Sequence, residues 1–308
     1  MHLSVASPTV LRRLDLRGRP PERLIEGLPR PVVEGTDADL VETVREIVAK
    51  VRVEGDAALR ELNERFDGRG GPLEVSAEEI RAAVGRIEPA VMDALLVAAT
   101  RIRRFHETQL RPPTSYDEDG VSIRSYTRPV RRAGCYVPGG RAAYPSSLLM
   151  TVLPAKVAGV DEVVVCVPAD RGTGDVADVV LAAASVAGVD ELYAVGGAQA
   201  IAAMAYGTET IRPVDVICGP GNSYVAIAKR EVAGHVGVAS AYAGPSEVVV
   251  IADASVPAHF AAVDVLVQAE HGPDGLAWFV CWDPAVADAV EAEIAALVGR
   301  APRAADIA

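Results

Sequence analysis

Short apolar strand-like runs alternate with helical patterns from about residue 161 onward, and this alternation predicts an α/β protein with mostly parallel sheets joined by right-handed crossovers. Two more observations shape that reading. Before residue 110 the chain is a succession of helical patterns with no strand among them, which gives an N-terminal helical segment. The Pro138-Gly139-Gly140 cluster and the bend at 243–246 are places where the chain crosses between two lobes. The expected division is an N-terminal arm over residues 1–30, a first α/β lobe assembled from 31–137 and 246–308, and a second, inserted lobe over 138–245.

The elements follow in order. Residues 1–30 are rich in Arg, Pro and Leu and have little core of their own; their arginines read as a solvated or intersubunit arm. Thr36 is placed to cap a helix with Leu40, Val44 and Val48 at four-residue spacing, ended by Gly55. Asp56 opens a second helix running to Phe66-Asp67. Ser76 and Glu79 form a capping box, and Pro89 starts a longer helix reaching about Gln109. Val121–Tyr126 alternates as a strand does, and Val130–Val137 follows as another. Ser146 and Ser147 are candidate caps for the next helix, inside which Pro154 predicts a kink or a new start. Strands are then expected at Val163–Val167, Leu192–Val195, Val214–Cys218, Val248–Ile251 and Leu276–Trp282. Helices are expected at Val176–Ala187, Ala198–Tyr206, Asn222–Val232, from Pro257 (capped by Ser255) to the Gly272-Pro273 stop, and from about Pro284.

Composition narrows the function. Half of the 308 residues are hydrophobic and the formal net charge is −12, so a sizeable core forms and the diffuse negative field disfavours nucleic acid and anionic membrane surfaces as partners. No apolar run is long enough to span a bilayer, and Pro8, Arg12 and Asp15 interrupt any secretory signal, which makes the cytoplasm the expected location. Cys135, Cys166, Cys218 and Cys281 are far apart with no C-x-x-C pair, so reduced thiols are expected.

Three glycine-bearing loops follow strand-like runs: Gly196-Gly197-Ala198-Gln199, Gly219-Pro220-Gly221-Asn222 and Ala243-Gly244-Pro245-Ser246-Glu247. In open α/β sheets ligands sit at the carboxyl ends of strands, and a loop that runs into a helix offers free N–H groups to phosphate. Neither G-x-G-x-x-G nor the P-loop pattern is present, and on spacing alone ordinary tight turns are the commoner cause of such loops. Gln268 and His271 lie three apart on one helix face, where an amide oxygen and an imidazole can supply two corners of a metal site; a solvated helix end is the commoner cause of such a pair. His106, His235 and His259 read as surface or packing residues, and no serine sits in a nucleophile elbow.

Taken together, VGGAQAIAAMAYGTE, ICGPGNSYVAIAKREV, AGPSEVVVIAD and QAEHGPD, with CYVPGGRAAYPSSLLMTVLPAKVAG and VEGDAALRELNERFD before them, closely resemble the histidinol dehydrogenase family from about residue 33 onward. The resemblance implies two incomplete Rossmann-like lobes, a zinc-dependent homodimer, and oxidation of L-histidinol to L-histidine through the aldehyde in two NAD-dependent steps, the last of histidine biosynthesis. By motif it implies NAD contacts from Tyr136, Gln199 and Asn222, histidinol contacts from Ser246, Gln268 and His271, and zinc ligation by Gln268 and His271.

Two departures qualify that expectation. The family's Glu-His catalytic bases, an Asp zinc ligand and a His ligand from the partner subunit lie beyond residue 308, so no catalytic residue is assigned and the first lobe is expected to be incomplete. The segment GVASAY at 237–242 also lacks the acidic residue the family usually has before AGPSE. The competing expectations are an inactive truncated member that binds nucleotide or a full-length partner, and a dehydrogenase of another small amino or sulfonated alcohol.

Overall fold

The computed structural model describes residues 11–20, 23, 28, 38–139, 142–239, 246–270, 276–301 and 304. Two compact units divide the chain, Gly35–Ala243 on one hand and Met1–Glu34 with Gly244–Ala308 on the other.

In the first unit, α1 (Ala38–Glu54) buries Val44, Ile47, Val48 and Val51 along one stripe. Gly55 turns the chain directly into α2 (Asp56–Asp67), whose first N–H donates to Glu209 Oε2 at 2.8 Å and which ends on left-handed Gly68. Ser76 Oγ accepts from Glu79 N–H at 3.1 Å to open α3 (Ala77–Arg86), half of the expected capping box, and Pro89 sits in the first turn of α4 (Pro89–Glu107). Strands β1 (Thr114–Glu118) and β2 (Val121–Ser125) form an antiparallel hairpin through Asp119-Gly120, both with positive φ as a two-residue turn requires. The sequence did not signal β1, because TSYDE has no apolar alternation and the whole hairpin is exposed.

The centre of this unit is a five-stranded parallel sheet in the order β5-β4-β3-β6-β7, made of β3 (Arg132–Tyr136), β4 (Glu162–Val167), β5 (Glu191–Ala194), β6 (Val216–Cys218) and β7 (Gly237–Val238). Helices α5 (Pro145–Val157), α6 (Asp178–Ala187), α7 (Gly197–Tyr206) and α8 (Ser223–Val232) connect successive strands. Side chains alternate between two cores. Cys135, Val163, Val165, Val167 and Leu192 pack with α3 to α6, whereas Tyr136, Val164, Cys166 and Tyr193 pack with α1, α2, α7 and α8. Burial on both faces is what unbroken runs such as Val163-Val164-Val165 demand. Gly134 lies under α7: a Cβ there would meet Met204 Sδ at 2.7 Å.

The expected division into lobes differs from this grouping. Helices α1 to α4 and strand β3 were assigned to a lobe shared with residues 246–308; they instead form the outer layers and the middle strand of the 35–243 unit. The reason is physical: both sheet faces are apolar, and the helices between successive strands are joined by these N-terminal helices in covering them. Helix α5 continues through Pro154, so no new segment starts there, and it begins at Pro145, so Ser146 and Ser147 lie inside its first turn rather than capping it as expected.

In the second unit, β8 (Glu247–Ile251) and β9 (Leu276–Val280) pair in parallel, with α9 (Ala258–Ala269) and α10 (Pro284–Val298) packed through Ala261, Ala262, Val265, Val290 and Ile294. Asp283 caps α10 by accepting from Ala285 N–H at 2.9 Å. Ser255 does not cap α9; its hydroxyl donates to Asp253 and Pro257 is the boundary residue. Arg13, read from the sequence as part of a solvated or intersubunit arm, is tied to α10 through Asp288 at 2.6 Å and through Glu291. Thr36, Gly140, Arg141, residues 240–245, and His271 with Gly272-Pro273 lie outside the described residues.

Candidate functional site

Strand order fixes where a ligand can lie in the 35–243 unit. From β3 the chain moves outward through β4 to β5; from β6 it moves the other way to β7. Loops leaving the C-terminal ends of β3 and β6 therefore diverge and leave a crevice between them, the switch point of an open parallel sheet. Tyr136 ends β3, and Gly219 follows Cys218 at the end of β6.

The residues there are packed backbone to backbone. Gly219 has φ +107, and a Cβ on it would overlap the Tyr136 carbonyl, so no other residue fits. Gly196 and Gly139 close on Pro168 from two loops, with Cβ positions 2.5 and 2.7 Å from its ring atoms. Gly197 has φ +63, and the amide of Gln199 occupies the space beside it. Its N–H donates to the Tyr136 hydroxyl at 3.0 Å, which ties the β5–α7 turn to the end of β3. Asn222 caps α8 by accepting from Val225 N–H at 3.2 Å. Tyr136, Gln199 and Asn222, assigned together by motif, thus lie at the end of β3, in the first turn of α7 and at the cap of α8, on one edge of one sheet. Tyr136 and Gln199 are buried, and Asn222 is exposed.

Several polar groups escaped the sequence reading. Asn63, on the buried stripe of α2, donates through Nδ2 to the Ala194 carbonyl at 2.8 Å and so holds the end of β5. Its Oδ1 and Asp67 Oδ2, one turn further on, are buried without a hydrogen-bond partner. Burial pushes the Asp67 carboxyl up to about 6 against the opposing pull of Arg171. Lys229 is almost wholly buried, and its ammonium donates to the Gly219 carbonyl; burial lowers its pKa. Burial likewise pushes the Tyr136 phenol up. The available signal was a polar side chain at an apolar stripe position: Asn63 and Asp67 continue the register of Leu59.

In the other unit, Gln268 is buried near the end of α9, and its Nε2 donates to the Ser246 carbonyl at 3.1 Å. That bond joins the strand start to the helix end and orients the amide so that Oε1 is the atom left to act as a ligand. His271 lies outside the described residues. Among the described residues no three His, Cys, Asp or Glu side chains cluster in a way that would hold a metal ion. Among the described residues the fit to zinc therefore stops at one donor oxygen.

Strand order and the connecting helices together define a doubly wound α/β protein. The sequence profile of the histidinol dehydrogenase family matches residues 32–308, and the chain belongs to that family. It is 51% identical over 257 residues to the histidinol dehydrogenase of Rhodospirillum rubrum, covering 82% of this chain and 58% of that one. It is 44% identical over 306 residues to that of Pseudomonas syringae pv. tomato, covering 98% and 67%. The crystal structure of histidinol dehydrogenase from Elizabethkingia anophelis superposes with a TM-score of 0.82 at 34% identity, over 90% of this chain and 64% of that one. The chain thus spans about three-fifths of the length of several curated relatives.

Proposed function

We propose that this chain carries the nucleotide-binding and substrate-holding part of an L-histidinol dehydrogenase, which oxidises L-histidinol to L-histidine through the aldehyde with NAD as acceptor. The observation that carries the reading is the Gly219–Tyr136 backbone contact at the switch point, flanked by Gln199 and Asn222. When bound, NAD supplies the hydride acceptor for both oxidation steps. The chain's own residues then have separable roles. Tyr136 fixes the Gly197 turn, Gln199 lies beside it, and the Asn222-capped start of α8 offers its first-turn N–H groups and positive end to the pyrophosphate. Lys229 holds the Gly219 carbonyl from beneath, so that loop stays shaped for the cofactor.

On the substrate side, Ser246, Gln268 and His271 are assigned to histidinol, and Gln268 and His271 to zinc. The Ser246–Gln268 bond supports the first two as one unit. The zinc assignment rests on the resemblance to the family's motif, so no chemical step is drawn through the metal, and no group among the described residues is named as catalytic base. A homodimer and a cytoplasmic location belong to the same proposal; among the described residues no helix is long and apolar enough to cross a membrane.

The experiment is a calorimetric titration of the chain with NAD+, followed by spectrophotometric detection of NADH on adding L-histidinol or other small amino and sulfonated alcohols. Saturable NAD+ binding that is weakened by Gln199→Ala is expected, and any NADH that forms is expected with L-histidinol alone. Binding absent at millimolar NAD+ would sink the nucleotide assignment. NADH formed only with another alcohol would move the substrate.

A further inference from the structure

Four cysteines are free in this chain, and two of them are neighbours. Cys135 and Cys218 are register partners on the adjacent parallel strands β3 and β6, and their side chains point to the same face of the sheet. Their Sγ atoms touch at 3.6 Å. Paired strands lie about 4.8 Å apart, which falls within the Cα separation of roughly 4.4–6.8 Å that a disulfide spans. The proximity is therefore set by the backbone register and does not depend on a chosen rotamer alone.

The two thiols are not equivalent. Cys135 is completely buried, whereas Cys218 is partly open at the end of β6. Cys218 also has two groups that favour its thiolate: the hydrogen bond from the Cys135 thiol and the charge of Lys229, which together outweigh its burial. Cys135 is pushed well up by the same contact and by burial, so it keeps its proton until a partner sulfur is activated. A partly open thiol 3.6 Å from a buried second thiol, on paired strands, is the arrangement of an attacking and a resolving cysteine.

We propose that Cys135 and Cys218 form a reversible disulfide when an oxidant of the hydroperoxide class reaches Cys218. The Cys218 thiolate attacks one peroxide oxygen and the O–O bond breaks; the sulfur is oxidised to a sulfenic acid and the peroxide is reduced to water or an alcohol. Cys135 sulfur then displaces the sulfenic hydroxyl, its proton leaves with that hydroxyl as a second water, and the S–S bond forms. A dithiol returns both cysteines to thiols. The bond ties together the ends of the two strands that flank the switch-point crevice.

The wild-type 308-residue chain, treated with a few equivalents of hydrogen peroxide and then alkylated, tests this by intact mass and non-reducing tryptic mapping. The expected result is a loss of two hydrogens, one linked Cys135–Cys218 peptide, and its disappearance on adding dithiothreitol. Cys281, whose thiol donates to the Asp283 carbonyl at 3.6 Å, is the internal comparison and stays out of the linkage. Cys218→Ser should abolish the linked peptide while Cys166→Ala leaves it. A chain with native circular dichroism in which both thiols remain alkylatable after Cys281 has been oxidised would overturn the proposal. So would Cys218 found only as a sulfinic acid, or a link to any other cysteine.

Discussion

Asp67 ends α2 beside Tyr136 and Arg171, with one carboxyl oxygen buried and unpartnered. Its carboxyl is raised from 3.8 to about 6 by burial, so the folded chain holds this proton more tightly than the unfolded chain does. The stability it contributes is full below about pH 4 and is lost as pH rises through about 6; above that a constant penalty remains. The group is partly open to solvent, which reduces that penalty to about 1 kcal/mol. Asp67→Asn is therefore expected to raise the urea midpoint at about pH 7.5 and to leave it unchanged at about pH 4. A variant less stable than wild type at the higher pH would show that the carboxylate is held by a partner. At the opposite edge of the sheet the balance reverses. Arg132 is buried between Glu162 and Glu191 at 2.6 Å each, and its hydrogen bonds hold Glu191 down to about 2. One charge paired at the strand starts and one carboxyl unpaired near the strand ends separate the stabilising edge of this sheet from the edge at which binding is proposed.

Capping decides where several elements begin, and it was only partly legible. Ser76 was readable because an unambiguous helical stretch follows it, and it caps as expected, whereas Asn222, read as the first residue of its helix, stands one position earlier as its cap. Ser146 and Ser255 do not cap because a proline lies within two residues of each: Pro145 and Pro257 set the helix starts through their fixed φ, and no side chain is bonded as a cap. The hairpin strand β1 and the polar stripe residue Asn63 were illegible for a related reason, since their pairing is set by the chain opposite and not by their own pattern. Asn222 allows its two assigned roles to be separated. Asn222→Ala should lower stability by about 1 kcal/mol through loss of the α8 cap. Asn222→Asp caps equally well and should keep the melting temperature, yet weaken NAD+ binding by setting a carboxylate where the cofactor's phosphates are proposed to lie. Calorimetric titration and thermal melts of both variants separate the roles; unchanged NAD+ affinity in Asn222→Asp would remove Asn222 from the cofactor site.

At the scale of the molecule, the α/β class, the parallel strands and the family were legible in the sequence, but the grouping of the N-terminal helices was not. An amphipathic stripe states that a helix is buried and leaves open against which sheet. Val44, Ile47, Val48 and Val51 of α1 join one core with Ile201, Met204 and Ile227, while Leu95 and Ala99 of α4 join the other with Leu148, Leu149 and Leu181. These contacts give the sheet its two covers from within residues 35–243, the same range that contains Tyr136, Gln199 and Asn222. A protein of residues 35–243 alone should then unfold in one cooperative urea transition, since both sheet faces keep their helices and a domain of this size commonly folds alone. It should also bind NAD+ with the affinity of the 308-residue chain, because every residue assigned to the cofactor is present. A fragment beginning at residue 110 makes the contrast: without α1 to α4 it exposes apolar sheet-side surface and should aggregate or bind a hydrophobic dye. A cooperative, soluble 110–243 fragment would mean that the four N-terminal helices are not part of this core. A folded 35–243 fragment that fails to bind NAD+ while the whole chain binds it would place part of the cofactor site outside this unit.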